Sequence, residues 1–238
     1  MMQKVHFEEL DTMDYKEAWD YQEKLLGRNV EIKSAKWRNA GENVTTVAEE
    51  TKHHLLFVEH PPVYTLGKSG KPEHVLISEE DREKKHIDYY KINRGGDITF
   101  HGPGQIVAYQ IFDLEKFYTD IGKFMRSLEE VIIKTLADYG LRGDRSNGET
   151  GVWLDPGIPG KERKICAIGI RCSRWITMHG LAFNVNTDLG YFSNIIPCGI
   201  VGKQVTSLEK ELGRKLEMHE VKEKVKHYFE EVFEIELV

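Results

Sequence analysis

Arg94-Gly95-Gly96-Asp97-Ile98-Thr99-Phe100-His101-Gly102-Pro103-Gly104-Gln105-Ile106-Val107-Ala108-Tyr109-Gln110-Ile111 is a glycine-dense loop that runs straight into an apolar strand. Glycines let backbone N–H groups approach a ligand closely, and an Arg, a His and a Gln among them favour a ligand loop over a plain turn. Upstream, Leu55-Leu56-Phe57-Val58 reads as a buried strand, with further strands over 63–66 and 89–93. The charged segment 73–86 between them reads as a surface excursion with a short helix from Ser78. Downstream, Ile121, Phe124, Met125, Leu128, Ile132, Leu136 and Tyr139 recur at helical spacing, with Asp120 as N-cap and Gly140 as stop.

Further out, residues 151–154 and 163–171 read as a hairpin around the turn Asp155-Pro156-Gly157-Ile158-Pro159-Gly160. A second strand pair, 175–178 and 181–185, is expected to turn at His179-Gly180. A first helix is expected over 14–27, ended by Gly27, and then a loop or a second marginal helix over 34–52. Val221, Val225, Phe229 and Val232 mark a C-terminal amphipathic helix. Strands grouped in the middle with helices before, between and after predict an α+β fold: one domain, 1–238, with a mixed β-sheet flanked by helices.

With 238 residues, 40% of them hydrophobic and 30% charged, the chain can bury a substantial core. No run approaches the ~20 apolar residues of a membrane span, so no membrane association is expected. The first fourteen residues lack a signal-peptide core, and three cysteines without framework spacing suit a reducing compartment; the cytoplasm is expected. The net charge of −6 argues against nonspecific nucleic-acid binding. Local basic clusters at 68–71, 142–145, 161–164 and 171–174 read as solvated loop charges.

Two residues stand out chemically. Cys198 lies in Pro197-Cys198-Gly199, a bend from which a thiol can be reached, although buried inert cysteines are common. Lys164 opens the apolar strand Ile165-Cys166-Ala167-Ile168-Gly169-Ile170, where a charge is costly unless paired. The bland alternative places its ammonium in water at the strand's edge. A charged Lys164 beside Cys198 would stabilise a thiolate; bringing it to neutrality near pH 7 costs about 4–5 kcal/mol, so the ion pair is the cheaper resting state. Cys166 could flank Lys164 or pack in the core. Histidines 60, 101 and 179 with cysteines 166, 172 and 198 match no metal-ligand spacing, so no metal site is expected. Gly67-Lys68-Ser69 fails as a nucleotide loop because Pro62 stands where its first glycine belongs.

Arg94-Gly95-Gly96-x-x-Thr99-Phe100-His101-Gly102-Pro103-Gly104-Gln105-x-x-x-Tyr109 resembles the signature of the octanoyl-[acyl carrier protein]:protein N-octanoyltransferases. In the same order follow the resembling motifs Gly151-Val152-Trp153, Lys164-Ile165-x-Ala167-Ile168-Gly169-Ile170-Arg171, Thr177-x-His179-Gly180-Leu181-Ala182-x-Asn184 and Pro197-Cys198-Gly199, with residues 56–67 preceding them. The likeness runs from about residue 14 to 213. It implies the fold of lipoate and biotin protein ligases, with Cys198 as acyl acceptor and Lys164 as its activator and proton shuttle. It also implies an acyl-substrate site made of Arg94, Gly95, Gly96, Asp97, Ile98, Thr99, Phe100 and His101, the strand segment Ala167, Ile168 and Gly169, and Gly180, Leu181 and Ala182. His179, His60, Gln105, Tyr109 and Asn184 are expected to support it.

The activity so implied moves octanoate from octanoyl-acyl carrier protein to the ε-amine of a specific lysine. The acceptors are lipoyl domains of 2-oxoacid dehydrogenase complexes and the glycine-cleavage H protein. No metal, nucleotide or redox cofactor is expected, and the protein is expected to be a monomer. ATP-dependent ligases carry three consecutive glycines and a His-Asp pair, whereas here two glycines stand at 95–96 and Gly102 follows His101. The competing readings are an octanoyl amidotransferase between carrier domains, an ATP-dependent lipoate or biotin ligase, and a non-catalytic acyl-binding module. Segments 27–53 and 159–163 are longer than the family pattern leads one to expect.

Overall fold

The structure, a computed structural model, describes residues 2–39, 49–196 and 204–238. Its main sheet has nine strands among the described residues. In chain order these are β1 (Gln3–Thr12), β2 (His53–Glu59), β6 (Gln105–Ile111), β7 (Gly143–Asp144), β8 (Val152–Leu154), β9 (Arg163–Ser173), β10 (Ile176–Asn184), β11 (Gln204–Val205) and β12 (Ile235–Leu237). They lie in the order β12-β1-β2-β6-β10-β9-β8-β7, with β11 also paired to β9. β12, β1 and β2 run parallel, β2 through β7 antiparallel, so the sheet is mixed. A second sheet takes β3 (Val63–Leu66), β4 (Asp88–Lys91) and β5 (Ile98–His101) in the order β4-β3-β5.

Alternation along β6 and β10 sends side chains to two different layers. Ile106, Ala108, Leu181 and Phe183 face α3 (Ile121–Ala137) and α5 (Met218–Phe233), whose Phe124, Leu128, Ile132, Val225 and Phe229 complete that core. Each fully buried phenylalanine there contributes about 2–3 kcal/mol from burial. Val107, Tyr109, Ile111 and Ala182 face α1 (Tyr15–Asn39) through Ala18 and Leu26. Phe100 and Tyr64 point from the small sheet into a third cluster with Phe192 and Ile195. The architecture is α+β with helices on both faces of a mixed sheet.

Asp120 caps α3 by accepting from Lys123 N, and Ser78 caps α2 (Glu79–Lys84) by accepting from Asp81 N, both as expected. Other expectations need correction. α1 runs through Gly27 to Asn39, because a mid-helix glycine costs only about 1 kcal/mol and the apolar stripe continues through Val30 and Ile32. Residues 34–39 are therefore helix, and 40–48 lie outside the described residues. No turn breaks 175–185: β10 is one strand, and His179 sits inside it at φ 59°. Part of the expected loop, 98–101, is strand β5. Arg145 is no merely solvated charge, since it binds the fully buried Glu129. No helix among the described residues is long and apolar enough to cross a membrane.

Candidate active site

Lys164 reaches the site through a β-bulge. Pairing between β8 and β9 shifts register between Val152↔Cys166 and Trp153↔Lys164. Ile165 and Cys166 consequently both enter the α3/α5 core, and the parity of the strand reverses. Lys164 thereby shares a face with Ala167 and Gly169 rather than with Cys166. β8 holds Lys164 from one edge and β11 from the other, Val205 lying opposite it and Thr206 N donating to its carbonyl at 2.9 Å. The side chain is 8% exposed, with Nζ 4.6 Å from the centroid of the Trp153 ring. An ammonium over an aromatic face keeps part of its charge stabilised out of water.

Lys164 lines a cavity of about 510 Å³. Small residues form much of its floor: Ala167, Gly169, Gly180 and Ala182, with Gly180 paired to Gly169 and Ala182 to Ala167. A Cβ on Gly169 would stand 2.8 Å from Gly95 O, so glycine is what admits the 94–96 loop here. That loop is docked on β9 by Gly95 N donating to Ile170 O at 2.9 Å. Arg94 Nη2 donates to Thr65 O at 2.8 Å and to Thr65 Oγ1 at 3.1 Å, which fixes the guanidinium against the cavity.

Of the expected residues, 94–99, His101, 167–169 and 180–182 all line this cavity, as do His179, Tyr109 and Lys164. Phe100 does not: its ring stacks 4.5 Å from Tyr191 in the small-sheet core. Gln105, Asn184 and His60 stand behind the wall. Gln105 Oε1 accepts from His101 Nδ1 at 2.8 Å, and its Nε2 donates to Asn184 Oδ1 at 2.8 Å. Asn184 in turn donates to Thr206 O at 3.0 Å, tying His101 to the stretch beside Lys164. His60 Nδ1 donates to Met13 O at 2.7 Å, which leaves Nε2 to accept from Tyr109 OH at 2.7 Å.

Burial holds these histidines neutral. It pushes His60 down to about 4 and His179 to about 3, the latter aided by Arg94 and Arg171. His101 falls well below its ordinary value through burial and then His60. Burial likewise raises Tyr15, which stacks on His101 with centroids 5.8 Å apart, and Tyr109. Cys166 is fully buried in the core, with its thiol pushed up by burial, so it packs rather than reacts. Cys198 and its Pro-Cys-Gly bend lie outside the described residues. The chain is described again from Gln204, which pairs with Arg163.

Several wall residues carried no signal in the sequence. Ile121 and Met125 come from the face of α3 nearest the cavity, Tyr15 from the start of α1, and Gly148, Glu149 and Thr150 from a rim before β8. The rim is fixed by Glu129, fully buried on α3, which accepts from Arg126 Nη1 at 2.6 Å, Arg145 Nε at 3.0 Å and Gly151 N at 3.1 Å. The walls therefore combine Lys164 and Arg94 with neutral histidines and tyrosines and with small and apolar residues of β9, β10 and α3.

Known proteins resemble this chain in both sequence and fold. The octanoyltransferase of Christiangramia forsetii is 57% identical over 238 residues, covering 100% of this chain and 99% of its own. That of Flavobacterium johnsoniae is 56% identical over 239 residues, covering 100% of both. Among solved structures, a bi-partite lipoate protein ligase from Thermoplasma acidophilum superposes with a TM-score of 0.68 over 99% of this chain and 86% of its own, at 17% identity. A lipoate-protein ligase A bound with ATP gives 0.67 at 16%, over 100% of this chain and 88% of its own. At such identities these two speak for the fold alone. The sequence pattern of the lipoyl protein ligase A/B catalytic domain matches residues 14–230. The chain therefore belongs to the lipoyl protein ligase A/B catalytic-domain family, alongside the octanoyltransferases, and is an acyltransferase.

Proposed function

We propose that the protein transfers an octanoyl group from octanoyl-acyl carrier protein to a lysine ε-amine, through a thioester on Cys198. The acceptors are lipoyl domains of 2-oxoacid dehydrogenase complexes and the glycine-cleavage H protein, and the enzyme acts as a cytoplasmic monomer. The observation that carries this reading is the placement of Lys164: a nearly buried lysine that a bulge sets on the wall of a cavity of about 510 Å³, beside the small residues Ala167 and Gly169. The names of the 56–57% identical relatives support octanoyl as the group moved.

In the first half-reaction the Cys198 thiolate, stabilised by the Lys164 ammonium, attacks the carrier's thioester carbon. The carbon–sulfur bond to the carrier breaks, and the departing thiolate takes a proton from Lys164. Cys198 is left as an octanoyl thioester beside a neutral lysine. In the second, a neutral acceptor amine attacks that thioester and passes its proton to Lys164 as the bond to Cys198 breaks. The product is an octanoyl amide, and thiolate and ammonium are restored. Burying the octanoyl chain is worth about 0.8 kcal/mol per methylene, so the cavity supplies roughly 5 kcal/mol for holding it.

The test is intact mass spectrometry of the protein mixed with octanoyl-acyl carrier protein, beside Cys198→Ala. A single hydroxylamine-labile octanoyl adduct, absent from the variant and cleared by an apo lipoyl domain, is expected. An adduct that appears only with ATP and free octanoate contradicts the reading.

A further inference from the structure

Resting on that acyl-transfer reading, we propose that the open edge of β9 at Ile168 is a binding site for a secondary amide. Its ligand is an amide of the flexible arm on which an acyl carrier protein presents its thioester.

Parity along β9 fixes which way its peptide groups point. The N–H and C=O of one strand residue point to the same side, and successive residues alternate. Gly95 N donates to Ile170 O at 2.9 Å, so the peptide groups of Ile170 point away from β10. In keeping with this, His179, opposite Ile170, gives its N–H to Gln22 Oε1 at 2.8 Å rather than to β9. The peptide groups of Ile168, two positions back, point the same way as those of Ile170. β8 does not cover them, since its pairing with β9 stops at Val152↔Cys166. The edge of β9 is thus capped at Cys166 by β8 and at Ile170 by Gly95, with Ile168 open between. Among the described residues neither its N–H nor its C=O takes a hydrogen bond from that side.

The cavity passes over this edge. Ala167 and Gly169 line it from the face of β9 shared with Ala182, which packs toward α1. Ile168 and Ile170 line it from the opposite face, which packs on the α3 core, and Ile121 and Met125 of α3 line it as well. A cavity that touches both faces of one strand runs past the edge of that strand. Here that edge is the half-buried Ile168, and Lys164 lines the same cavity four positions upstream.

The open groups decide the ligand. One N–H and one C=O presented as in a ladder match a single extended amide, which offers a C=O and an N–H in return. Four positions between the caps span only about 13 Å. That admits a slim, unbranched chain, whereas adding a strand from a folded domain takes several consecutive pairs along a free edge. The arm of an acyl carrier protein is such a chain: it is linear, ends in the sulfur that bears the acyl group, and holds two secondary amides. The acceptor, by contrast, brings to the cavity a lysine side chain with no amide in it.

The experiment compares S-octanoyl pantetheine with two analogues, in each of which one amide N–H is replaced by an ester oxygen. The rate of octanoyl adduct formation on the protein is read by rapid-quench mass spectrometry. The ester keeps the chain's shape and the thioester but leaves Ile168 C=O without a donor. One of the two analogues is expected to acylate the wild-type protein about tenfold more slowly than the parent. Ile168→Pro removes the N–H without breaking a bond to β10, and there the ratio should fall below about threefold. Each ratio is read within one protein, so a general loss of rate in the variant cancels. Wild-type rates within about twofold of the parent for both analogues overturn the proposal, as does an undiminished ratio in a folded Ile168→Pro protein. An Ile168→Pro protein that fails to fold, read by circular dichroism, puts that N–H in the ladder and overturns it too. All of these outcomes leave acyl transfer standing. Absence of an adduct from all three thioesters and from octanoyl-acyl carrier protein sinks the acyl-transfer reading beneath it as well.

Discussion

Replacing Glu129 isolates how much the cavity rim depends on one buried carboxylate. Glu129 is fully buried and accepts three hydrogen bonds, but its partners differ in what they lose. The side chains of Arg126 and Arg145 are 49% and 34% exposed, so each can turn to water, and each ion pair contributes about 0–1 kcal/mol. Gly151 N–H is buried, at φ 110° in a turn packed against Cys166 O, and has no such escape. Leaving it unsatisfied costs about 1–3 kcal/mol. Relief of the carboxylate's own desolvation offsets part of the sum. Glu129→Ala is therefore expected to lose about 2–4 kcal/mol, and Glu129→Gln, whose amide oxygen still accepts from Gly151, about 1 kcal/mol. Urea unfolding reads both as a fall in midpoint at constant slope. Because Gly148, Glu149 and Thr150 line the cavity, the Ala variant is also expected to raise KM for the acyl donor several-fold with little change in kcat. A loss below about 0.5 kcal/mol, or equal losses for Ala and Gln, refutes the assignment of the cost to Gly151 N–H.

Three further outcomes follow from the geometry. Gly169→Ala sets a Cβ 2.8 Å from Gly95 O and 3.3 Å from Arg94 Cδ, so it should displace the 94–96 loop and cut kcat/KM at least tenfold; unaltered kinetics in steady-state assays speak against that loop as a cavity wall. Lys164→Arg keeps the positive charge beside the thiolate but cannot give up or take a proton, so the Cys198 adduct should still form, more slowly, with the carrier thiolate leaving unprotonated, while hand-off to the acceptor slows by about 10²–10⁴-fold; normal single-turnover hand-off removes Lys164 as proton shuttle. Burial lowers His53 and His60 to about 4 and His179 to about 3, from 6.5, so the unfolded chain takes up protons that the folded one refuses. Stability is then complete above pH 6.5 and declines as pH falls toward 4 and below, by about 1.4 kcal/mol per unit for each histidine; unfolding midpoints that stay level from pH 7 to 5 contradict this.

What the sequence disclosed follows physical locality. Helix α3 was legible because its face, its Asp120 cap and its Gly140 stop all lie within about twenty residues. The strand β10 was misread at His179-Gly180 because those residues look like a turn. The left-handed backbone is held instead by Gln22, 157 positions away, which no local pattern can announce. β1 and β12 were missed for a related reason: both are half-polar strands, and each finds its partner at the other end of the chain. The glycine loop was legible as wall from its own glycines, whereas 167–169 and 180–182 were expected there only through the family resemblance. Phe100, in the middle of that motif, turns away because β5 alternates. Met125, Ile121 and Thr150 join the wall by packing alone. The bulge that aims Lys164 has no sequence marker at all.

The central claim is that Cys198 and Lys164 pass an octanoyl group in two steps, and rapid-quench mass spectrometry with octanoyl-acyl carrier protein tests it most directly. The account predicts one octanoyl thioester on Cys198, formed without ATP and discharged to an apo lipoyl domain fast enough to account for turnover. Steady turnover with no adduct in the wild-type protein, or undiminished turnover in Cys198→Ala, contradicts it.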